Sequence, residues 1–275
     1  MIGKKRKIIN HMKNLISVSN KFLTISPSEL VSLILSSKYT KGIEVSIDFE
    51  SEFKKNYLND LVLEMKKNNL ILQIHGHIEQ QYDEQLEYMK QLEKYSDYLG
   101  YPIIVTLHTI FDEDKEKSLI KTRNFLEKFL NEIDNEKLVI SLENLNDTKK
   151  YARLGKEDIT STILNNENLF FTYDIGHEIA DFGNITDVNS LLIEKIRNAH
   201  IHSYDNHGRD HQPIYKDDPY WNEIIKGLRY LINIKYQYNI VYEYALEYCN
   251  GETVKDKIID YLNSIDFVSK QYYEE

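Results

Sequence analysis

An apolar, β-prone run, LFFTYDIGH, ends in Asp174 and His177. A carboxylate and an imidazole at the tip of a buried strand are costly unless something binds them. The plain structural reading is an aspartate that caps the next helix, with His177 in its first turn. The pair does not stand alone, however. Near the ends of other apolar runs lie Glu44 with Asp48, His75 with His77, His108, Glu143, His200 with His202, and Glu243. Asp205, His207, Asp210 and His211 follow the seventh run. Eight of the nine histidines fall in such places, and only His11 does not. Taken singly, His77 and His207 read as loop residues. Asp48 and Asp205 read equally as turn formers or ligands. Glu44 reads equally as a ligand or as a carboxylate bonded to backbone or lysine. As a set, His75, His108, Glu143, Asp174, His177, His200, His211 and Glu243 offer imidazole and carboxylate without thiolate, the donors of a Zn²⁺ or Mn²⁺ site. Four or more such groups in a low-dielectric cup repel one another unless cations neutralise them.

The elements that must position these residues follow from the hydrophobic pattern. Short β-branched runs at 15–18, 42–47, 70–75, 102–108, 137–143, 169–174, 196–202 and 239–244 predict strands. Between them, stretches of helical spacing predict helices at 26–38, 51–68, 82–100, 114–133, 147–166, 185–196, 220–233 and 252–268. Ser26-Pro27 reads as N-cap and first helical residue, and Asp114 and Asp147 as helix starts. Gly100 stands where the third helix should stop. Strict alternation of strand and helix implies βα units and a parallel sheet. Eight units in this length fit a closed (β/α)8 TIM barrel better than an open doubly wound sheet. No glycine follows the first strand, as a dinucleotide-binding turn would require. In such barrels chemistry sits at the C-terminal ends of the strands, where the ionisable residues fall.

The composition agrees with one soluble domain over 1–275, with 1–12 as an N-terminal extension: 41% hydrophobic and 28% charged, with four prolines and no Pro/Gly/Ser-rich linker. A net charge of −10 disfavours a broad nucleic-acid or anionic-membrane surface. The single cysteine, Cys249, leaves no internal disulfide framework and no Cys-rich zinc site. The basic start KKRK leads into a segment too broken by polar residues for a signal core, and no apolar run approaches membrane-spanning length. The expectation is a cytoplasmic protein.

The motifs LQIHGH, IIVTLHT, ISLENLND, YDIGHE, NAHIHSYDNHGRDHQPI and IVYEYAL, in this order on successive strands, resemble the xylose isomerase-like barrel superfamily. That superfamily includes sugar-phosphate isomerases and epimerases as well as endonuclease IV. The resemblance implies one divalent ion held by Glu143, Asp174, His200 and Glu243, with His202 as the fallback for His200. His177 resembles the family histidine that contacts substrate or a further metal. His75, His108 and His211 match additional ligands of the multi-zinc members, which hold two or three ions. Two departures stand in the seventh loop. Asp210 and His211 are adjacent where the family often has Asp-x-His, and PIYKDDP replaces a Gly-x-Gly turn.

Three functional classes follow. The first is a metal-dependent isomerase or epimerase of a small sugar-like substrate. There Glu143 and Glu243 move the proton, His177 steadies the oxyanion, and His202 and Trp221 contact the substrate. The second is a multi-zinc phosphoesterase, the only reading with a nucleic-acid partner. The third is a barrel that keeps its ligands but serves only in binding. Charge and the altered loop favour the first. The 205–220 segment has the composition of a mobile loop able to close over substrate.

Overall fold

The computed structural model describes residues 12–47, 51–76, 82–146, 153–205 and 207–273. Asp48, His77 and Asp147, and nearly all of the predicted N-terminal extension, lie outside them. Eight parallel strands close into a barrel in sequence order. They are β1 (Lys13–Ser19), β2 (Thr40–Ser46), β3 (Ile71–His75), β4 (Ile103–Leu107), β5 (Leu138–Glu143), β6 (Leu169–Asp174), β7 (Ile196–Ile201) and β8 (Asn239–Tyr242). Strand β8 pairs back onto β1 and closes the ring. The strands are buried on both faces because helices pack outside them, so they read as apolar runs rather than as alternation.

Nine α-helices occur among the described residues: α1 (Pro27–Ser36), α2 (Glu52–Lys67), α3 (Tyr82–Leu99), α4 (Lys115–Leu130), α5 (Lys156–Leu164), α6 (Ile175–Phe182), α7 (Ser190–Ile193), α8 (Trp221–Asn233) and α9 (Val254–Tyr273). Several begin and end as their caps dictate. Ser26 Oγ accepts the Glu29 N–H with Pro27 at the first helical position, and Asp114 Oδ1 accepts from Glu116 and Lys117. Gly100, at φ +85°, ends α3 in the left-handed conformation that other residues resist.

The sixth unit departs from the predicted pattern. A helix begins directly after β6, because Asp174 caps it, and Gly183 at φ +67° stops it. The helix predicted over 185–196 shrinks to the single turn of α7. Ile185, Val188 and Leu192 recur at helical spacing, and all three are buried, the first two from an irregular segment ahead of that turn. Burial demands apolar residues whatever the backbone does, so spacing alone misled. Ser203 tethers the predicted 205–220 loop at two points. Ser203 and Gln212 exchange backbone hydrogen bonds of 2.9 and 3.0 Å, and Ser203 Oγ donates to Asp218 at 2.8 Å.

Beneath the strand ends the barrel interior carries a polar layer where Val, Ile and Leu usually dominate. Register sets Glu44 beside Gln73, Thr106 beside Ser141, and Asn198 beside Thr172 and Asn239. Hydrogen bonds link Asn198 to Glu44 (2.9 Å) and Thr106 (3.0 Å), Thr106 to Thr172 (3.1 Å), Thr172 to Ser141 (2.7 Å) and Asn239 to Gln73 (2.6 Å). This layer is the floor of the site.

Cys249, in the turn after β8, is 4% exposed, and burial pushes its thiol up to about 12. Only the thiolate reacts, so at pH 8 alkylation of the native chain should run at least about 10³-fold slower than that of a peptide thiol. It should also quicken about tenfold per pH unit while the fold holds. A mass-spectrometric time course with iodoacetamide checks this; labelling at the peptide rate would show that the site opens readily.

Candidate metal centre

Six of the eight strands, β3 to β8, deliver a donor at their ends. Glu143 closes β5 and Asp174 closes β6, His200 stands on β7, and Glu243 follows β8 directly. His75 closes β3 and His108 follows β4. Glu143 lies at the centre and is fully buried. Its Oε1 faces His200 Nδ1 at 3.3 Å and His177 Nδ1 at 3.5 Å, and its Oε2 faces His75 Nε2 at 3.3 Å and His108 Nε2 at 3.2 Å. His200 Nδ1 also faces Glu243 Oε2 at 3.1 Å and Asp174 Oδ2 at 3.9 Å. The quartet implied by the family resemblance is thus brought together around His200 Nδ1.

Asp174 answers both readings of its sequence position. Oδ1 accepts the His177 N–H at 2.7 Å and caps α6, while Oδ2 is left for the cluster. Asn144 holds this geometry like a rung between β5 and β6. Its side chain accepts from Asp174 N–H at 2.8 Å and donates to Asp174 C=O at 3.1 Å. Its own carbonyl accepts from His177 Nδ1 at 2.9 Å. That bond places the proton of a neutral His177 on Nδ1, and burial lowers the His177 pKa against the raising effect of Asp174. Nε2 is then an acceptor, which suits a metal or a substrate hydroxyl and not the oxyanion-donor role expected from sequence.

The seventh loop adds a second tier. His202 stacks on His211 with centroids 4.6 Å apart, and its Nε2 stands 3.4 Å from Asp174 Oδ1. His211 sits at φ +57°, uncommon for a histidine, with Nδ1 3.1 Å from Asp210 and Nε2 3.6 Å from Glu243. His177, His202 and His211 each offer a donor within 4.8 Å of the others. A side chain at Gly176 would collide with the His202 ring at 2.5 Å, so this tier needs glycine there.

Other predicted residues fall elsewhere. Trp221, half-buried at the start of α8, packs its ring against Phe267 of α9, 5.3 Å between centroids. His207 is exposed, and Asp205 accepts from His207 and Arg209 N–H as a turn former. Among the described residues Glu44 bonds neither backbone nor lysine: it accepts from Asn198 and faces His200 Nε2 at 3.0 Å. Asn144 and Asn198 were not singled out from sequence. Asn198 stands two residues before His200, and so on the same strand face, which was the available signal.

Imidazolium protons balance the carboxylates in this arrangement. Burial alone would lower His75, but Glu143, Glu243 and Glu44 raise it to about 9. Burial likewise opposes His211, yet Glu243 and Asp210 carry it to about 11. Burial would raise Glu143 and Glu243, but His200 first and its neighbours hold both well below the usual carboxylate range. A divalent cation is the other way to balance such a cluster. The residues fit one. Both Glu143 oxygens, Asp174 Oδ2, Glu243 Oε2 and His200 Nδ1 are buried without a hydrogen-bond partner. Ligands about 2.1 Å from one ion stand about 3.0–3.4 Å apart in octahedral or tetrahedral geometry. The 3.1–3.3 Å separations among Glu143, His200 and Glu243 match that spacing.

The class that the fold and site define is a closed (β/α)8 barrel with imidazole and carboxylate groups gathered at its strand ends. The sequence profile described as xylose isomerase-like TIM barrel matches residues 40–265, and the chain belongs to that family. Solved structures of this fold include D-psicose 3-epimerase from Clostridium cellulolyticum H10, at TM-score 0.67 and 13% identity, covering 94% of this chain and 98% of that one. The 3-keto-D-glucoside 4-epimerase from E. coli aligns at TM-score 0.62 and 16% identity, covering 94% and 99%. D-allulose 3-epimerase from Methylomonas sp. aligns at TM-score 0.63 and 10% identity, covering 96% and 100%. A search of curated protein sequences finds no match. Among the described residues no helix is long and apolar enough to cross a membrane.

Proposed function

We propose that the protein is a divalent-metal-dependent isomerase or epimerase of a small ketose or similar polyol. The observation that carries this reading is the buried convergence of Glu143, Asp174, His200 and Glu243 on one point at the strand ends. The sugar epimerases of the same fold support it. A bound Zn²⁺ or Mn²⁺ ion supplies Lewis-acid polarisation of a carbonyl and its neighbouring hydroxyl. Glu143 and Glu243 approach from β5 and β8 on either side of His200, so one can take a proton from a substrate carbon and the other return one to the opposite face. His177 Nε2 accepts from a substrate hydroxyl or joins the metal set. His202 holds Asp174 and His211 in place at the rim.

The test is an exchange experiment. Metal-loaded protein is incubated with ketohexoses and ketopentoses in D₂O and followed by NMR. Deuterium at the carbon next to the carbonyl, together with the epimer or aldose, supports the reading. No exchange with any ketose, while metal stays bound, opposes it.

One observation favours a second reading, the multi-zinc phosphoesterase. The two oxygens of Glu143 face different groups, His200 on one side and His75 with His108 on the other, as in a bridging carboxylate. Elemental analysis of protein purified without chelator separates the two. The expected result is about one equivalent of divalent ion per chain. Two or three equivalents of zinc with phosphodiester cleavage would move the assignment to the phosphoesterase.

A further inference from the structure

Glu44 is a fully buried carboxylate in the barrel interior that the proposed chemistry does not use. It belongs to β2, separated from β7 by β1 and β8 around the closed ring, so its contact with His200 crosses the barrel interior. Oε1 stands 3.0 Å from His200 Nε2, and Oε2 accepts from Asn198 Nδ2 at 2.9 Å. Asn198 Nδ2 spends its other hydrogen on Thr106 Oγ1 at 3.0 Å. Asn198 Nδ2 also lies 3.0 Å from His200 Nε2, so its two hydrogens have three neighbours; with them on Glu44 and Thr106, Glu44 is the acceptor for a proton on His200 Nε2. The opposite nitrogen, Nδ1, faces Glu143, Asp174 and Glu243.

Packing does not account for a charge at this position. Glu143, Asp174 and Glu243 already crowd the same interior, and a fourth carboxylate there is unfavourable unless it acts on a cation or a donor. A glutamine would fill the same volume without charge, but it has only one acceptor atom where two donors, Asn198 Nδ2–H and His200 Nε2–H, converge. A carboxylate presents two acceptor oxygens to His200 Nε2, at 3.0 and 3.3 Å, the second of them shared with Asn198.

We propose that Glu44 is a positioning residue for the metal centre: it holds the Nε2 proton of His200 and thereby presents the Nδ1 lone pair to the ion. The proposal rests on the metal reading of the site given above. A carboxylate behind a ligating histidine fixes the tautomer and ring orientation, and its loss commonly weakens metal binding about 10- to 100-fold. Here the floor formed by Asn198, Thr106, Thr172 and Ser141 holds Glu44 in turn.

The experiment measures Zn²⁺ and Mn²⁺ affinity by chelator competition for the wild-type chain and for Glu44→Gln. It is accompanied by thermal unfolding of both metal-free proteins. The expected result is an affinity about 10- to 100-fold weaker in the variant, with the metal-free unfolding midpoint unchanged or raised. An affinity within about twofold of the wild type overturns the proposal and leaves the metal reading standing. Binding of neither ion by the wild-type chain overturns both. A second measurement needs no variant at position 44 and decides the case if Glu44→Gln does not fold. Long-range ¹H–¹⁵N correlation of the zinc-loaded wild type should show His200, assigned by its loss in His200→Asn, protonated on Nε2 and ligating through Nδ1. Ligation through Nε2 overturns the proposal.

Discussion

Replacing Glu143 with glutamine should strip the protein of its divalent ion. At concentrations that saturate the wild type, Glu143→Gln should retain less than about a tenth of an equivalent, and any ketose turnover should fall at least about 10³-fold. The reason lies in its place at the centre of the cluster. Its two oxygens face His200 and His177 on one side and His75 and His108 on the other. A neutral amide loses both the charge that balances a cation and one of the two acceptor oxygens. Elemental analysis and the D₂O exchange assay read the two effects separately. Full metal content in the variant would remove Glu143 from the ligand set; intact exchange would remove it from proton transfer. Trp221→Ala serves as the control, since Trp221 packs on Phe267, and metal content should not change.

The second large effect concerns stability. Lys156 and Glu178 form an ion pair of 2.7 Å with both side chains buried, 4% and 1% exposed. Thr186 bonds both partners, and the Asp187 carbonyl accepts from Lys156 at 3.3 Å. The pair ties α5 to α6 and to the irregular segment after α6. Lys156→Met leaves the Glu178 carboxylate buried without its cation, and the expected loss is about 3–5 kcal/mol. Replacing both, as Lys156→Met with Glu178→Met, removes the stranded charge and should recover most of that loss. Urea unfolding of the wild type, the single and the double variant checks this. A single-variant loss below about 1 kcal/mol would show that water reaches the pair. The pair also bears on the site, because α6 carries His177 one residue before Glu178. A loosened α6 should lower metal affinity in the single variant and regain it in the double.

The barrel was legible because its causes are local. Runs such as LVISLE and LFFTYD are too short and too β-branched for helices, and the charged stretches between them carry helical spacing and recognisable caps. Closure into eight units then follows from the count. The sixth unit was misread because the apolar residues between Gly183 and β7 serve a buried irregular segment, which spacing cannot tell from a helix. An aromatic residue after a long polar loop looks available to a ligand, and only the packing of α8 on α9 shows that Trp221 also meets Phe267.

By itself, the sequence determined the donor types and their strands: histidines and carboxylates at the C-terminal ends, without thiolate, in an order that already resembled a metal-site barrel. Strand periodicity sets which residues point inward, and that information is contained within each strand. Tertiary structure alone decided which inward residues meet. Glu44 and His200 are 156 positions apart, on strands that do not pair, and barrel closure brings them to 3.0 Å. The division of Asp174 into a capping oxygen and a free one, and the Nδ1 proton of His177 held by Asn144, depend on ångström-scale placement across neighbouring strands. Such placement is set by barrel register and packing, which no local stretch of sequence encodes.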